Sequence, residues 1–269
     1  MAASSELKAR VRDHWNAESC GESYAATSGG ALDLSKQARE RYAIEPYILP
    51  FAKFEEGVGR NVLEIGIGMG ADHALWARSR PRQLCGVDLT SRAVEVTAER
   101  LAAEGLSSQL READAEALPF CEGSFDIVYS WGVLHHSPNT PECIREVFRV
   151  LRPGGVARVM IYHTWSLVGL MLWTRYALLA GRPGRSLRDI YFHHLESPGT
   201  KAYTVESARC MFVGAGFSAK SLYGSSLATV ICLRAMSVPA TGAGYSAPRR
   251  HCGRGGSCAG SRITSASIC

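Results

Sequence analysis

The sequence predicts an α/β protein in which a mostly parallel sheet lies between two layers of helices, as a three-layer sandwich. From residue 60 onward, short apolar segments of strand length alternate with amphipathic segments of helical length. The chain has 269 residues, of which 46% are hydrophobic and 20% are charged. That composition is typical of a globular protein with a full core, and it argues against a disordered chain or a coiled coil.

The predicted strands are short aliphatic runs that end at glycine or polar residues. They cover residues 61–65, 83–87, 125–129 and 156–162. Helices are expected between them: residues 71–80, a helix with Ser91 as its N-cap that stops at Gly105, and a helix that starts at Thr140. Strand–helix units of this length connect by right-handed crossovers, so the strands lie parallel in one sheet.

Composition divides the chain into three parts. Residues 1–58 are predicted to form an N-terminal helical cap, interrupted by a loop over 21–34 where Ser, Gly and Thr are frequent. Residues 59–236 form the predicted α/β domain. Residues 237–269 are rich in Gly, Ser, Ala and Arg without any periodicity, so we expect a disordered tail.

The net charge of +5 is concentrated in that tail. Residues 237–269 contain four arginines and no Lys, Asp or Glu, which leaves 26 basic and 25 acidic residues in the rest of the chain. A nearly neutral body without a basic stripe argues against a nucleic-acid partner and favours a small-molecule substrate.

Three features of the sequence favour a cytoplasmic protein. The N-terminus lacks the apolar run of a signal peptide. The nine cysteines include no C-x-x-C pair, which argues for free thiols rather than a disulfide framework. The apolar segment 165–180 is interrupted by Arg175 and is too short to span a membrane.

The strongest local signal is a glycine-rich turn at the end of the first predicted strand. Gly66, Gly68 and Gly70 close the strand and precede the next helix, where the backbone turns sharply and a ligand approaches it closely. Asp88 ends the following strand, twenty residues after Gly68. A carboxylate there can accept hydrogen bonds from a ribose diol, so the sequence predicts a nucleoside site.

The glycines alone do not identify the nucleoside. Gly66-x-Gly68-x-x-Ala71 also satisfies the dinucleotide fingerprint, so NAD stays open at this point. Glu64 precedes the first glycine by two residues and is an acid suited to a positively charged ligand rather than a pyrophosphate. Asp114, followed by Ala115, supplies a further acidic position before the next strand.

Together these motifs resemble the core of class I S-adenosylmethionine-dependent methyltransferases, especially the small-molecule group that includes the ubiquinone and menaquinone C-methyltransferases. The resemblance covers about residues 60–160 and rests on E-x-G-x-G-x-G from Glu64, the strand-end Asp88, Asp114-Ala115, F-D-x-V from Phe125, L-H-H from Leu134 and L-R-P-G-G from Leu151. It implies a Rossmann-like sheet of seven strands with an antiparallel last strand. The final helix is then expected at 205–216, and the closing strands at 217–222 and 229–233.

The resemblance also implies S-adenosylmethionine as the cofactor and assigns roles to individual residues. The glycine turn would cradle the methionine part, Asp88 the ribose hydroxyls, and Asp114 with Ala115 the adenine. Trp15 or Tyr24 would close over the methionine end. The cofactor-binding residues expected in this way are Glu64, Gly66, Gly68, Gly70, Asp88, Asp114, Ala115, Ser130 and Trp131.

Histidines are the natural candidates for a general base, because their usual pKa lies near neutrality. The candidates are His135 and His136, after the fourth strand of the resemblance, and His194. A base is needed only if the acceptor arrives protonated, and the L-H-H pair also serves to link strand to helix. His193, His194 and Glu196 have the residue types of a metal site, but adjacent histidines usually point in different directions, so no metal is expected.

Residues 163–203 form an insertion that is expected to decide the substrate. Its apolar stretch, residues 165–180, has three interpretations: a lid helix over a hydrophobic pocket, a helix packed on the core, or an interfacial helix with weak contact to a membrane surface.

The sequence therefore predicts methyl transfer to O, N or C of a small, apolar or aromatic metabolite. The alternatives are an NAD(P)-dependent oxidoreductase and a non-catalytic module that binds the cofactor.

Overall fold

The computed structural model describes residues 2–26, 32–226 and 230–237. The strands within these residues are β1 (Asn61–Ile65), β2 (Gln83–Asp88), β3 (Gln109–Glu112), β4 (Phe125–Trp131), β5 (Leu151–Tyr162), β6 (Leu222–Ser226) and β7 (Val230–Met236). These seven strands form one sheet in the order β3-β2-β1-β4-β5-β7-β6. Strands β1 to β5 pair in parallel, whereas β7 is antiparallel to both of its neighbours. The predicted α/β, Rossmann-like architecture with an antiparallel last strand is confirmed.

Ten α-helices lie in the described parts of the chain. They are α1 (Ala2–Ala17), α2 (Glu22–Ala25), α3 (Leu34–Ile44), α4 (Ile48–Ala52), α5 (Ala71–Arg78), α6 (Ser91–Ala103), α7 (Thr140–Val150), α8 (Leu167–Trp173), α9 (Leu187–His194) and α10 (Val205–Gly214). The expected cap of α6 was one residue late: Thr90 Oγ1 accepts from the Ala93 backbone N–H, and Ser91 is the first helical residue. An N-cap residue usually has an extended backbone, which lets its side-chain oxygen accept from an N–H of the first helical turn, and Thr90 has this conformation.

Three further features of the structure differ from the sequence expectations. Strand β3 was not predicted, because it lies at the sheet edge and is largely exposed and polar, so it lacks the apolar alternation of a buried strand. The first closing strand begins at Leu222 rather than at residue 217, and a 3₁₀ turn, Ala219–Ser221, precedes it. The expected loop over 21–34 contains the short helix α2.

The core has two parts, one on each face of the sheet. One face packs against α7 and α10 through residues such as Ile144, Val147 and Phe212. The other face packs against α4 and α5 through residues such as Ile48 and Trp76. The N-terminal helices are thus packed onto the sheet, where they reach the carboxyl ends of its strands.

The insertion packs mainly on itself. Helices α8 and α9 and the π-helical turn Thr174–Leu178 share a small core that includes Leu172, Ile190 and Tyr191. Trp165, Leu170 and Met171 are exposed. Within the described residues, none of the helices combines the length and the apolarity that a membrane span requires. The expected disordered tail, apart from Ser237, lies outside the described residues.

Candidate active site

A cavity lies at the carboxyl ends of β1, β2, β4 and β5, beneath α1 and α3. It encloses about 1330 Å³ of empty space, counting the solvent at its mouth. Its wall includes Lys8, Trp15, Arg41, Glu64, Gly66, Gly68, Asp72, Asp88, Asp114, Ala115, Trp131, His136, Tyr162 and Glu196.

The three glycines of the turn have left-handed backbone conformations but different surroundings. A Cβ on Gly66 would lie 2.1 Å from Val133 Cγ2, and one on Gly70 would lie 2.8 Å from Thr97 Oγ1. A Cβ on Gly68 would meet nothing within 4 Å, and Gly68 lines the cavity. Gly70 does not line it, so its expected contact with the cofactor is replaced by close packing between α5 and α6.

Asp88 lies beside Gly68, as the spacing predicts. Its Oδ2 accepts from the Gly68 backbone N–H at 3.2 Å, and its Oδ1 accepts from the Thr90 backbone N–H at 3.0 Å and the Thr90 hydroxyl at 2.8 Å. Burial raises the pKa of Asp88, and these donors partly oppose the shift. The carboxylate is therefore fixed at the cavity wall between two strands.

Glu64 lines the cavity, but it is only 2% exposed, and its side chain forms a hydrogen bond with a histidine. Its Oε2 lies 2.9 Å from His73 Nδ1. Burial, with the charges of Asp72 and Asp88, raises the pKa of Glu64 well above its usual range. Burial also lowers the pKa of His73 to about 3. Burial thus favours the neutral forms of both Glu64 and His73, whereas the position of Glu64 in the sequence suggested a free negative charge.

The acid whose negative charge is stabilised at this end of the cavity is Asp72, which sequence reasoning missed. Burial alone would raise its pKa, but the Arg41 guanidinium, with Nη2 2.9 Å away, and the hydroxyls of Tyr42 and Tyr129 hold that pKa below its usual value. Asp72 occupies α5 and Arg41 occupies α3. No local motif pairs residues 31 positions apart, so only the packing of the two helices identifies this ion pair.

Asp114 and Ala115 line the cavity near α1. The Lys8 ammonium lies 2.6 Å from Asp114 Oδ2 and 2.6 Å from Glu116 Oε2. The N-terminal helix is therefore tied to the loop after β3 by a partly exposed ion pair.

Of the two expected residues at the end of β4, only Trp131 reaches the cavity. Ser130 is completely buried and does not line it. Side chains alternate along a strand, so Ser130 shares the sheet face of Val128, while Trp131 shares that of Tyr129. The expectation for Ser130 fails for this reason.

The two N-terminal residues that were expected to close over the methionine end, Trp15 and Tyr24, differ in whether they line the cavity. Trp15 lines the cavity, and its ring lies 5.3 Å from that of His136. Tyr24 is 41% exposed and does not line the cavity.

Among the candidate histidines, only His136 lines the cavity. Its Nδ1 lies 2.8 Å from Ser197 Oγ and 3.0 Å from Thr200 Oγ1, while its Nε2 lies 3.4 Å from Glu196 Oε2. Glu196 also accepts from the Tyr162 hydroxyl at 2.5 Å. These partners come from the end of the insertion, which explains why the sequence pattern around residue 136 does not reveal them.

His135 is completely buried, with its ring 4.3 Å from that of His136 and 4.1 Å from that of Tyr162. Burial lowers its pKa well below the usual value, with added repulsion from His136 and Lys201. His194 is placed outside the cavity, where its ring stacks on Tyr176 at 3.9 Å.

Comparison with known proteins agrees with this geometry. Residues 63–159 match the family described as "Methyltransferase domain". Methyltransferase GfsG of Streptomyces halstedii is 32% identical over 165 residues, which are 60% of this chain and 57% of that protein. Erythromycin 3''-O-methyltransferase of Saccharopolyspora erythraea is 38% identical over 105 residues, 38% of this chain and 34% of that protein. The matched part of the chain thus spans between about a third and just over half of the length of these relatives.

Solved structures share the fold. The [4+2]-cyclase SpnF superposes with a TM-score of 0.56 at 17% identity, covering 80% of this chain and 86% of that chain. An S-adenosylmethionine-dependent methyltransferase from Mesorhizobium loti gives 0.53 at 16% identity, covering 76% and 99%. The closer resemblance to quinone C-methyltransferases stays a prediction. Residues 63–159 therefore match the sequence pattern of a methyltransferase domain, as the motifs predict.

Proposed function

We propose that the chain binds S-adenosylmethionine in this cavity and transfers its methyl group to O, N or C of a small, apolar or aromatic metabolite. One observation carries the proposal. Gly68 leaves open space where any other residue would place a Cβ, and the Asp88 carboxylate is fixed beside that space at the end of the adjacent strand. A nucleoside cofactor requires a place where it can approach the backbone closely, with an acid at the end of the neighbouring strand to accept hydrogen bonds from its ribose.

Different residues along the cavity wall would hold different parts of the cofactor. Asp88 would hold the ribose hydroxyls, and Asp114 with the Ala115 backbone would face the adenine. Gly66 and Gly68 would line the methionine part. Asp72 then supplies the fixed negative charge of that region in place of Glu64, because the pKa of Glu64 is raised and that of Asp72 is lowered.

When bound, the cofactor supplies an activated methyl group. The protein then contributes alignment and the exclusion of water, which together lower the barrier without a catalytic triad. Trp15 on α1 and Trp131 on β4 both present apolar surface to the cavity, and residues of α1 and α3 form part of its wall. This wall suits an apolar or aromatic acceptor beside the cofactor.

Three related inferences belong to the same proposal. The names of the relatives include a methyltransferase for erythromycin, which supports a small-molecule acceptor. The buried thiols of Cys143 and Cys232 support a reducing compartment, so we place the protein in the cytoplasm. The exposed apolar side chains of α8 are compatible with weak contact to a membrane surface.

Thermal unfolding with added ligand tests the cofactor. S-adenosylhomocysteine should raise the unfolding temperature in a concentration-dependent manner, and NAD should not. Stabilisation by NAD alone would refute the proposal in favour of the oxidoreductase alternative.

Incubation with methyl-labelled cofactor and a metabolite extract, followed by mass identification of labelled products, tests the transfer. A labelled small molecule that disappears with the Asp88→Ala variant is the expected result. Binding of the cofactor without any labelled product would indicate a non-catalytic module instead.

A further inference from the structure

A cluster of potential metal ligands lies beside the proposed cofactor cavity. One ring nitrogen from each of His135 and His136 and one carboxylate oxygen from Glu196 all lie within 4.8 Å of one another. His135 and His136 follow β4, whereas Glu196 follows α9, so the fold brings together residues 60 positions apart. This is a different set from His193, His194 and Glu196, the residues that are adjacent in sequence.

His135 is buried, yet its hydrogen-bonding groups are not satisfied within the described residues. Its side chain is completely buried, and neither ring nitrogen has a hydrogen-bond partner in the described parts of the chain. A buried polar atom without a partner costs about 1–3 kcal/mol, so such atoms usually face an ion or an ordered water. A metal ion coordinated by one nitrogen would remove part of this cost.

The spacing of His136 and Glu196 fits coordination better than a hydrogen bond. His136 Nε2 and Glu196 Oε2 are 3.4 Å apart, which is long for a charge-assisted hydrogen bond. Zinc binds imidazole nitrogen and carboxylate oxygen at about 2.0–2.2 Å, and a tetrahedral angle then separates the two ligand atoms by roughly 3.4 Å.

The groups around these ligands orient them as the surroundings of a metal site do. Ser197 and Thr200 lie at hydrogen-bond distance from His136 Nδ1, which leaves Nε2 to face Glu196. The Tyr162 hydroxyl donates to Glu196 Oε1, which leaves Oε2 to face His136. Hydrogen bonds of this kind fix the tautomer and ring orientation of metal-ligating histidines.

The backbone of Glu196 is also constrained. Its φ is +51°, a left-handed conformation that non-glycine residues rarely adopt. Residues in such conformations cluster at functional sites, where surrounding contacts hold them in place.

The geometry points to a binding site for a divalent transition metal, with zinc as the first candidate, formed by His135, His136 and Glu196. This inference goes beyond the proposed function and replaces the sequence-based expectation that no metal is bound. Three protein ligands leave a coordination position open, as in catalytic rather than structural zinc sites. His136 and Glu196 line the cavity, so an acceptor oxygen or a water molecule can take that position.

Equilibrium dialysis of the metal-depleted full chain against zinc, with elemental analysis, tests the site. The wild type should bind zinc, and His135→Asn and Glu196→Gln should each weaken that binding by more than ~10-fold. Ser197→Ala removes a supporting hydrogen bond rather than a ligand and should weaken it by ~10–100-fold at most. His194→Asn is the matched control, because His194 is stacked on Tyr176 outside the cavity.

Cobalt substitution separates this site from zinc held by cysteines. Cobalt bound by His and Glu should show visible absorption without a thiolate-to-cobalt charge-transfer band. Far-UV circular dichroism of every variant reports whether it is folded. Unchanged zinc affinity in both folded variants, or a thiolate band in the wild type, would overturn the inference.

Titration with S-adenosylhomocysteine on the same samples keeps the two proposals apart. If the wild type binds S-adenosylhomocysteine but not zinc, only the metal site is refuted. If it binds zinc with the expected dependence on His135 and Glu196 but does not bind S-adenosylhomocysteine, the proposed function fails and the metal site stands.

Discussion

The Asp88 carboxylate accepts a hydrogen bond from the backbone N–H of Gly68 at 3.2 Å. This contact ties the end of β2 to the turn that follows β1, and it aligns the acid with the open space above Gly68. Asp88 is the last residue of β2 and Gly68 follows β1, and these two strands are adjacent and parallel in the sheet. The contact therefore depends on the strand pairing as well as on the spacing in the sequence.

Replacement of Asp88 by alanine should weaken binding of S-adenosylhomocysteine by the ~1.5–3 kcal/mol expected for hydrogen bonds to a charged group. Isothermal titration calorimetry measures the dissociation constant directly. Asp189→Ala, at a partly exposed aspartate on α9 that pairs with Arg185 and does not line the cavity, is the control and should leave the constant unchanged. An unaltered constant in the Asp88 variant would show that the ribose is not bound there.

Alanine at Gly68 should abolish cofactor binding while the chain stays folded. The added methyl group meets no protein atom, but it projects into the cavity where the cofactor is expected. The left-handed backbone adds a strain of roughly 1 kcal/mol. Gly105→Ala has the same type of backbone strain, with nothing within 4 Å and no place in the cavity wall. Denaturant unfolding should show similar losses of stability in both variants, and only Gly68→Ala should lose affinity for S-adenosylhomocysteine.

Alanine at Gly66 should destabilise the fold instead. Its Cβ would lie 2.1 Å from Val133 Cγ2, so the backbone or Val133 must move. Overpacking of this kind costs ~1–3 kcal/mol, in addition to the strain of the left-handed backbone. Denaturant unfolding of Gly66→Ala, Val133→Ala and the double variant gives the coupling between the two sites. The double variant should be more stable than the sum of the single losses predicts, and simple additivity would show that Val133 is not the obstacle.

Glu64 should make the protein less stable as the pH rises above about 6.5. Burial raises its pKa in the folded state, so over this range the folded chain keeps a proton that the unfolded chain has released. Unfolding then releases a proton, and the free energy of unfolding falls with pH by at most ~1.4 kcal/mol per unit. His73 has the opposite effect, because its folded pKa is lowered, but that effect ends near pH 6.5, where the unfolded imidazole is neutral.

The variant Glu64→Gln keeps the shape of the side chain and removes the proton that Glu64 would release on unfolding. Its stability relative to the wild type should therefore increase as the pH rises above about 6.5, up to the raised pKa of Glu64 in the folded state, as measured by denaturant unfolding. Glu40→Gln, at an exposed glutamate on α3, should keep the pH slope of the wild type. Parallel pH profiles for Glu64→Gln and the wild type would contradict the assignment of a neutral Glu64.

Local sequence patterns were sufficient wherever the structural cause is local. The apolar run 61–65 became β1 with the predicted bounds, because a strand buried on both faces needs continuous aliphatic residues. The glycines at 66, 68 and 70 all adopt positive φ, as a sharp strand-to-helix turn requires. Strand β3 was missed because an exposed edge strand has no such pattern.

The sequence by itself determined the α/β architecture, the glycine turn, Asp88 at the next strand end and the resemblance to a methyltransferase domain. Only the tertiary structure decided which of the glycines line the cavity, that the surroundings favour a negative charge on Asp72 rather than on Glu64, and that Glu196 meets His135 and His136. The first group depends on residues close in the chain, whose spacing a periodic backbone converts into geometry. The second depends on burial and on packing between distant elements, which set the surroundings of a side chain and hence its charge and partners.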